Sequence, residues 1–211
     1  MGKNIGLCSS TGTTLINVYF CREKKLNKLV RLKIQELLLE GSSLSHDEKT
    51  IEECFYDLDK VQMMMPLHVQ NYTDFYSSED HARNVGTMFR DPDNALLPNW
   101  KHLPVGYHGR SSSIVVSGTP FHRPKGQQKP NADEPPVFGA CKLLDFELEM
   151  GFITYEGKSL GDSISTAEAD NYIFGMCLFN DWSARDIQKW EYIPLGPFLS
   201  KNFASHVSPW I

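Results

Sequence analysis

The chain has 211 residues, the size of one large domain or of one domain with a fragment of another. Apolar residues make up 41% of it and charged residues 22%, near the averages for soluble globular proteins, which argues against a disordered or collagen-like chain. The formal net charge of −5 gives no electrostatic reason to expect nucleic acid or an anionic membrane as a partner, and it leaves room for bound cations.

Residues 1–65 have a helical character. Apolar side chains recur at spacings of three and four between residues 26 and 38, with Lys and Arg on the opposite face, which predicts a helix. Gly41 suits the C-terminal cap of that helix. The segment Ser45–Glu48 has the form of a capping box, so we expect a second short helix that ends near Leu58. Residues 1–22 show no period and could be a ragged strand or a disordered tail.

Beyond residue 65 the pattern favours strands joined by turns. All 12 prolines lie there, and short apolar runs such as Ser113–Val116 are bounded by Gly, Ser and Pro. The proline-dense residues 119–136 are typical of a surface loop. We therefore expect a β-rich α+β protein, with a short helical segment ahead of the β-rich part.

Two strand predictions place acidic side chains. Between Leu143 and Phe152, apolar residues alternate with Asp145, Glu147 and Glu149, so one strand face is apolar and the other carries three carboxylates. The run from Tyr172 to Phe179 is apolar throughout, which predicts a strand covered on both faces and followed directly by Asp181.

Glu147 and Glu149 allow two interpretations. They are either the solvated outer face of a strand or part of a metal site, with Asp181 as a third ligand. Hard cations such as Ca²⁺ take oxygen ligands, whereas no His/Cys cluster has the spacing that zinc needs.

The cysteine pattern favours a reducing compartment. The number of cysteines is odd, their spacing is wide, and none forms a CxxC pair, unlike a secreted disulfide scaffold. No apolar run approaches the roughly 18 residues that a membrane helix needs. We therefore expect a soluble cytoplasmic protein that contacts neither a membrane nor nucleic acid. The cysteines are Cys8, Cys21, Cys54, Cys141 and Cys177.

Two further segments could carry chemistry. The segment from Asn71 to His81 has the composition of a functional loop, although a lone histidine is more often structural. If residues 183–190 are helical, Arg185 and Gln188 share one face, and with Lys201 they could stabilise an oxyanion; the alternative is a solvated helix face. Arg90, Tyr107 and Arg110 supply cationic and phenolic groups in turn-rich segments, and each would be an ordinary surface residue if taken alone.

Several long phrases are spread over the part of the chain after residue 65. They include Asp74–Ser78 (DFYSS), Asn84–Gly86 (NVG), Met88–Arg90 (MFR), Leu103–Arg110 (LPVGYHGR), Gly139–Asp145 (GACKLLD), Asn180–Tyr192 (NDWSARDIQKWEY), Pro194–Leu199 (PLGPFL) and Ser208–Trp210 (SPW). Together they resemble the fumarylacetoacetase family, which is also called the fumarylacetoacetate hydrolase family. The resemblance covers about residues 65–211; residues 23–65 are only loosely similar to the end of that family's N-terminal region, and residues 1–22 do not match. It divides the chain into 1–22, a helical remnant at 23–65, and a partial catalytic domain at 66–211.

The resemblance implies a hydrolase that cleaves a carbon–carbon bond of 4-fumarylacetoacetate to give fumarate and acetoacetate, the last step of tyrosine and phenylalanine breakdown. It implies a β-roll catalytic domain, a homodimer, and bound Ca²⁺ and Mg²⁺. It assigns Ca²⁺ to Asp74, Glu147, Glu149 and Asp181, and Mg²⁺ to Asp181, Lys201 (through its carbonyl) and Ser205. It makes His81 the general base and gives stabilisation of the alkoxide and carbanion to Arg185, Gln188 and Lys201. It gives substrate contacts to Tyr76, Arg90, Tyr107, Gln188 and Tyr192.

The family's catalytic domain continues for more than a hundred residues beyond the position of Ile211, and the acid that orients the catalytic histidine lies in that part. A catalytically inactive, truncated family member that binds a cation or a partner is therefore the competing hypothesis. A third, less favoured hypothesis is a related acylpyruvate hydrolase.

Overall fold

A computed structural model describes residues 24–211 of the protein, so the expectation for residues 1–22 lies outside the described residues. The chain forms two compact units. Of the described residues, the first contains 24–68, Met150–Leu178 and Ser208–Ile211, and the second contains Val69–Glu149 and Phe179–Val207.

Two α-helices lie in the first unit, α1 (Lys24–Leu37) and α2 (Glu48–Cys54). Gly41 follows α1 with φ +76°, the left-handed conformation that suits glycine after a helix. The predicted capping box is wrong: Asp47, not Ser45, caps α2, because its carboxylate accepts from the backbone N–H of Thr50. Helix α2 also ends at Cys54, earlier than expected, because the backbone becomes extended at Phe55.

The second unit contributes α3 (Glu79–Phe89) and α4 (Arg185–Glu191), and ten short strands are described along residues 24–211. The strands are β1 (Tyr72–Phe75), β2 (Gly106–Gly109), β3 (Ile114–Val116), β4 (Lys125–Gln128), β5 (Val137–Ala140), β6 (Leu144–Asp145), β7 (Leu148–Thr154), β8 (Ile173–Asp181), β9 (Ser183–Ala184) and β10 (Ser205–Val207).

These strands form small sheets. One has the order β3-β10-β8-β7, and three two-stranded sheets pair β1 with β2, β4 with β5, and β6 with β9. Ser205 lies opposite Asp181 where β10 runs antiparallel to β8, and Asp74 lies opposite Tyr107 where β1 runs antiparallel to β2. Sheet pairing thus brings together side chains that are far apart in sequence. The described chain contains both α-helices and β-strands, which agrees with the expected α+β class.

The acidic strand differs from its prediction in two ways. It is split into β6 and β7, because between them the backbone of Glu147 turns to Asn180 and Asp181, with the N–H of Glu147 3.1 Å from Asn180 Oδ1 and its carbonyl 3.1 Å from the N–H of Asp181. The carboxylate face is also the buried one: Glu147 is 8% exposed and its apolar neighbour Leu148 is 70% exposed.

Three other local expectations were wrong. The strand β8 is not covered on both faces, since Met176 and Leu178 are exposed. Residues 119–136 are not wholly a loop, because they contain strand β4. The segment from Asn71 to His81 holds strand β1 and the first turn of α3 rather than a loop.

Helix α3 is held by capping and by close packing. The Ser78 hydroxyl accepts from the backbone N–H of His81 at its N-terminus. Ala82 and Val85 are buried, and a Cβ at Gly86 would lie 2.2 Å from the carbonyl oxygen of Ala95. This close packing fixes the position of α3 and of His81 in its first turn.

Among residues 24–211, no helix has the length and apolar character needed to cross a bilayer. The longest described α-helix, α1, has 14 residues, fewer than the roughly 20 that span a membrane.

Candidate metal centre and active site

Four carboxylates converge in the second unit. Each offers an oxygen within 4.8 Å of the oxygens of the others, although they lie on different elements. Asp74 is on β1, Glu147 precedes β7, Glu149 is within β7, and Asp181 ends β8. Strand pairing therefore brings together carboxylates that lie far apart in the sequence, since Asp74 and Asp181 are separated by more than a hundred residues.

Two buried cations contact one side of this cluster. Lys201 Nζ donates to Glu147 Oε2 and to Asp181 Oδ2, each at 2.6 Å. Arg185 donates from Nη2 to Glu147 Oε1 at 2.6 Å and from Nε to Asp145 Oδ2 at 3.0 Å. Charge-assisted bonds of this length are strong, and they fix the orientation of the Glu147 carboxylate.

Neutral hydroxyls complete the surroundings of the aspartates. Asp181 accepts from the Ser205 hydroxyl at 2.9 Å and from the Tyr107 hydroxyl at 3.2 Å. Asp74 accepts from the Tyr72 hydroxyl at 3.0 Å. Burial raises the pKa of both tyrosine hydroxyls well above their usual range, so both remain protonated donors at neutral pH.

The pKa values of Glu147, Asp74 and Glu149 are shifted in different directions. Burial acts to raise the pKa of Glu147, but the hydrogen bond from His81 and the charges of Lys201 and Arg185 outweigh it and hold the pKa far below its usual range. Burial, followed by the charge of Asp181, raises the pKa of Asp74 to about 6. Burial, followed by the charge of Asp74, raises the pKa of Glu149 to about 9.

This imbalance fits a hard divalent cation. Within residues 24–211, neither Asp74 nor Glu149 has a cationic side chain within ion-pair distance, although both lie among other carboxylates. Carboxylate oxygens are the ligands that Ca²⁺ prefers, and a cation at this point would compensate the charges that Lys201 and Arg185 leave unbalanced. The donor set contains no thiolate or imidazole cluster of the kind that zinc prefers.

His81 lies at the edge of the cluster. Its Nε2 is 3.3 Å from Glu147 Oε1, and the side chain is 35% exposed, so water can reach the ring. The ring of Tyr76 packs edge-on against the imidazole with centroids 5.6 Å apart. Helix α3 thus presents an imidazole that is oriented by a carboxylate and accessible from solvent.

Arg185 and Gln188 share one face of α4, since Arg185 Nη1 donates to Gln188 Oε1 at 3.0 Å and both side chains are buried. The alternative of a solvated helix face does not hold for these two residues.

Three of the predicted substrate-binding side chains have partners other than the carboxylates. The Arg90 guanidinium donates to the Ala95 carbonyl at 2.6 Å, and the Tyr76 hydroxyl donates to the Ala82 carbonyl at 3.0 Å. Tyr192 stacks on Phe89 with centroids 5.5 Å apart. The structure does not bring them into direct contact with the carboxylates.

The site contains residues that sequence reasoning did not select. Tyr72 bonds Asp74, Asp145 bonds Arg185, and Asn180 accepts from the backbone of Glu147. A signal existed for two of them. Strand alternation places Asp145 on the same face as Glu147, although no role was assigned to it, and the same spacing would place Tyr72 beside Asp74.

Comparison with known proteins identifies the family to which the chain is similar. Residues 70–211 match the family described as Fumarylacetoacetate (FAA) hydrolase C-terminal. The chain is 57% identical over 185 residues to the fumarylacetoacetase of Homo sapiens, covering 87% of this chain and 44% of the human protein. It is 56% identical over 201 residues to that of Dictyostelium discoideum, covering 93% and 47%. It is 46% identical over 197 residues to that of Arabidopsis thaliana, again covering 93% and 47%.

The chain thus spans less than half the length of these relatives. The family match extends over about two-thirds of it and contains all four converging carboxylates and His81. The chain therefore belongs to the fumarylacetoacetate hydrolase family, a family of hydrolases.

Proposed function

We propose that the protein hydrolyses 4-fumarylacetoacetate to fumarate and acetoacetate at this site, as the last step of tyrosine and phenylalanine breakdown. The observation that carries the proposal is the convergence of four carboxylates within 4.8 Å of one another, beside an imidazole held 3.3 Å from one of them. The names of the relatives, all fumarylacetoacetases, support the choice of substrate.

Asp74, Glu147, Glu149 and Asp181 would hold Ca²⁺. When bound, a divalent cation polarises the carbonyl of a 1,3-diketone, which favours attack by water. Mg²⁺ is assigned to the neighbourhood of Asp181 and Ser205, with the carbonyl of Lys201. The bond from the Ser205 hydroxyl to Asp181 supports this assignment.

His81 would remove a proton from the attacking water. Its Nε2 faces Glu147, so a ring that donates from Nε2 leaves Nδ1 free to accept that proton. The water oxygen adds to the ketone carbonyl carbon of the fumaryl group, and the bond from that carbon to the neighbouring methylene carbon then breaks. Its electron pair leaves with acetoacetate as an enolate, which takes up a proton to give the product. General-base catalysis of this kind typically contributes ~10²–10⁴-fold.

Arg185, Gln188 and Lys201 would stabilise the negative charge that develops on oxygen. Arg185 and Lys201 are buried and already oriented by Glu147 and Asp181, so little reorganisation is needed when charge appears. Tyr76, Arg90, Tyr107, Gln188 and Tyr192 are assigned to substrate contacts. For Arg90 this requires the guanidinium to exchange its bond to Ala95 for a substrate carboxylate.

The proposal is tested by two measurements on the same preparation. Isothermal titration calorimetry with Ca²⁺ should show binding, and the protein with Ca²⁺ should consume fumarylacetoacetate, followed by loss of its ultraviolet absorbance. The variant His81→Gln should keep the calorimetric binding and lower turnover by ~10²–10⁴-fold. Asp74→Asn should weaken Ca²⁺ binding directly.

The competing hypotheses give different results. Ca²⁺ binding without turnover in folded protein would indicate an inactive family member, and faster hydrolysis of an acylpyruvate would indicate the other substrate class. Absence of Ca²⁺ binding would overturn the metal centre itself. The homodimer and the cytoplasmic location remain part of the proposal and rest on the resemblance. Light scattering during size-exclusion chromatography tests the homodimer.

A further inference from the structure

The carboxylate of Glu191, at the C-terminal end of α4, accepts four hydrogen bonds from a single short loop. Its Oε1 accepts from the backbone N–H of Phe198 at 2.9 Å, from the N–H of Ser200 at 2.8 Å and from the Ser200 hydroxyl at 2.5 Å. Its Oε2 accepts from the N–H of Leu199 at 3.1 Å. Three consecutive amides therefore point at one side chain.

The loop that Glu191 holds leads directly into Lys201. Ser200 is fully buried, its carbonyl accepts from the N–H of Ala184 at 3.0 Å, and Lys201 follows as the next residue. The ammonium of Lys201 lies 2.6 Å from both Glu147 and Asp181. A shift of this loop would consequently move the cation that contacts two of the four carboxylates.

Helix α4 joins both halves of this arrangement. Its first residue, Arg185, contacts Glu147 directly, and its last residue, Glu191, holds the loop that carries the second cation. Hydrogen bonds to a charged group are stronger than neutral ones, so four of them to one carboxylate are a strong restraint on the loop. The chemistry proposed for the site does not use Glu191 itself.

We propose that Glu191 is a positioning residue that sets the place of the Lys201 ammonium between Glu147 and Asp181. This inference rests on the proposed function for the importance of Lys201, but the geometry that it describes can be tested without turnover. Nothing in the sequence pattern distinguishes Glu191 from an ordinary exposed helix-terminal glutamate; only the folded loop shows its partners.

The test measures how accessible Lys201 is to a small amine-acylating reagent, with peptide mass spectrometry as the readout. In the unaltered protein, Lys201 is 5% exposed and should react slowly compared with the exposed Lys189. Glu191→Gln keeps the shape and one oxygen acceptor, but it loses the charge and the second acceptor. We expect the acylation rate of Lys201, relative to Lys189, to rise about tenfold in this variant because the loop opens more often.

Glu168→Gln is the matched control, because Glu168 also accepts from a serine N–H and hydroxyl, at Ser165, but lies in the first unit. It should leave Lys201 protected. Ser200→Ala removes only one donor to Glu191 and should raise the rate by a smaller factor. Circular dichroism confirms that each variant is folded before labelling.

Amide hydrogen exchange at residues 198–200 separates positioning from a purely structural role. Faster exchange together with faster Lys201 acylation supports the proposal. Faster exchange with Lys201 still protected would show that Glu191 shapes the loop without setting the lysine, and would overturn it. An unchanged acylation rate in a folded Glu191→Gln variant would overturn it as well. Absence of turnover in the unaltered protein, with Lys201 protected there and more reactive in Glu191→Gln, would count against the proposed function only.

Discussion

Glu149 lies among three other carboxylates and, within residues 24–211, has no cationic side chain within ion-pair distance. The pKa of Glu149 is raised to about 9, so at neutral pH folding must add a proton to this carboxyl, which lowers stability. Glutamine avoids that cost, and a bound divalent cation would instead favour the carboxylate. In EDTA, Glu149→Gln should therefore raise the melting temperature, by about 2–4 °C for a gain of about 1 kcal/mol in the free energy of unfolding.

If Ca²⁺ binds as proposed and stabilises the unaltered protein, the same variant should lose that stabilisation. Differential scanning calorimetry with EDTA and with Ca²⁺ checks both expectations. A Glu149→Gln protein that melts lower in EDTA and retains its Ca²⁺ shift would show that Glu149 is not a ligand.

Cys141 is buried and donates its thiol to Asp186 Oδ1 at 3.0 Å. Burial, together with this carboxylate, raises the pKa of the Cys141 thiol to about 11. The reactive thiolate is therefore scarce below that pH, and the folded protein shields it.

We expect iodoacetamide to alkylate the exposed Cys54 at pH 8 and to leave Cys141 unmodified up to about pH 10 in the folded protein. Peptide mapping after timed quenching measures both rates. Alkylation of Cys141 at the rate of Cys54 would contradict both its burial and its raised pKa.

At the level of elements, the sequence pattern identified strands better than it identified their buried faces. Alternation correctly separated Glu147 and Glu149 from Leu148, but the carboxylates proved to be on the buried side. The reason is that burial depends on the elements that pack on each face, here β1, β8 and α4, and no local pattern specifies them. The helix of residues 26–38 was found because its period is local, whereas its end and the cap of α2 depend on single hydrogen bonds.

A side-chain hydrogen bond joins β10 to the residue that follows β8. The Trp182 indole donates to His206 Nδ1 at 2.8 Å, and His206 Nε2 lies 2.8 Å from the Thr119 carbonyl. Because an indole N–H can only donate, Nδ1 is the acceptor and Nε2 carries the proton. An asparagine at position 206 would place its side-chain oxygen close to the position of His206 Nδ1. A glutamine would instead place its side-chain amide close to the position of Nε2.

His206→Asn should therefore keep the Trp182 bond and cost less stability than His206→Gln. We expect His206→Gln to lose about 1–3 kcal/mol, since it leaves the indole donor unpaired. Urea unfolding of both variants measures the difference, and Trp182→Phe should reduce it. Equal losses in the two variants would contradict the assigned donor and acceptor.

At the scale of the whole chain, the site could not be assembled from local patterns. Asp74, Glu147 and Asp181 belong to separate elements, and only strand pairing brings them together. The resemblance to a family supplied the grouping before any geometry was known. It could not supply the partners of Tyr72, Asn180 or Glu191, because those contacts depend on side-chain positions in the folded chain.

Strand β7 exposes apolar side chains in the first unit. Phe152 is 57% exposed, and Met150 on the same side of the strand is also exposed, while Ile153, the next residue on the opposite side, is partly buried. Exposed apolar side chains bind hydrophobic dyes, whereas a charge at an exposed position changes stability little.

Phe152→Lys should therefore lower the fluorescence of a bound hydrophobic dye and change the free energy of unfolding by less than about 0.5 kcal/mol. Ile153→Lys, its matched control, should destabilise the protein by more because it buries a charge on the opposite side of the strand. Dye titration and urea unfolding measure the two effects. Equal stability losses in both variants would show that Phe152 is packed.

The close packing of α3 allows almost no substitution at Gly86. Even the methyl group of alanine would meet the Ala95 backbone at 2.2 Å, and a backbone cannot swing aside as a flexible side chain can. Any substitution at Gly86 would push α3 away from Ala95 and move the His81 imidazole out of contact with Glu147. The next residue, Thr87, is exposed and should tolerate many alternatives. In a saturation library, adjacent codons would thus show opposite extremes of permissiveness.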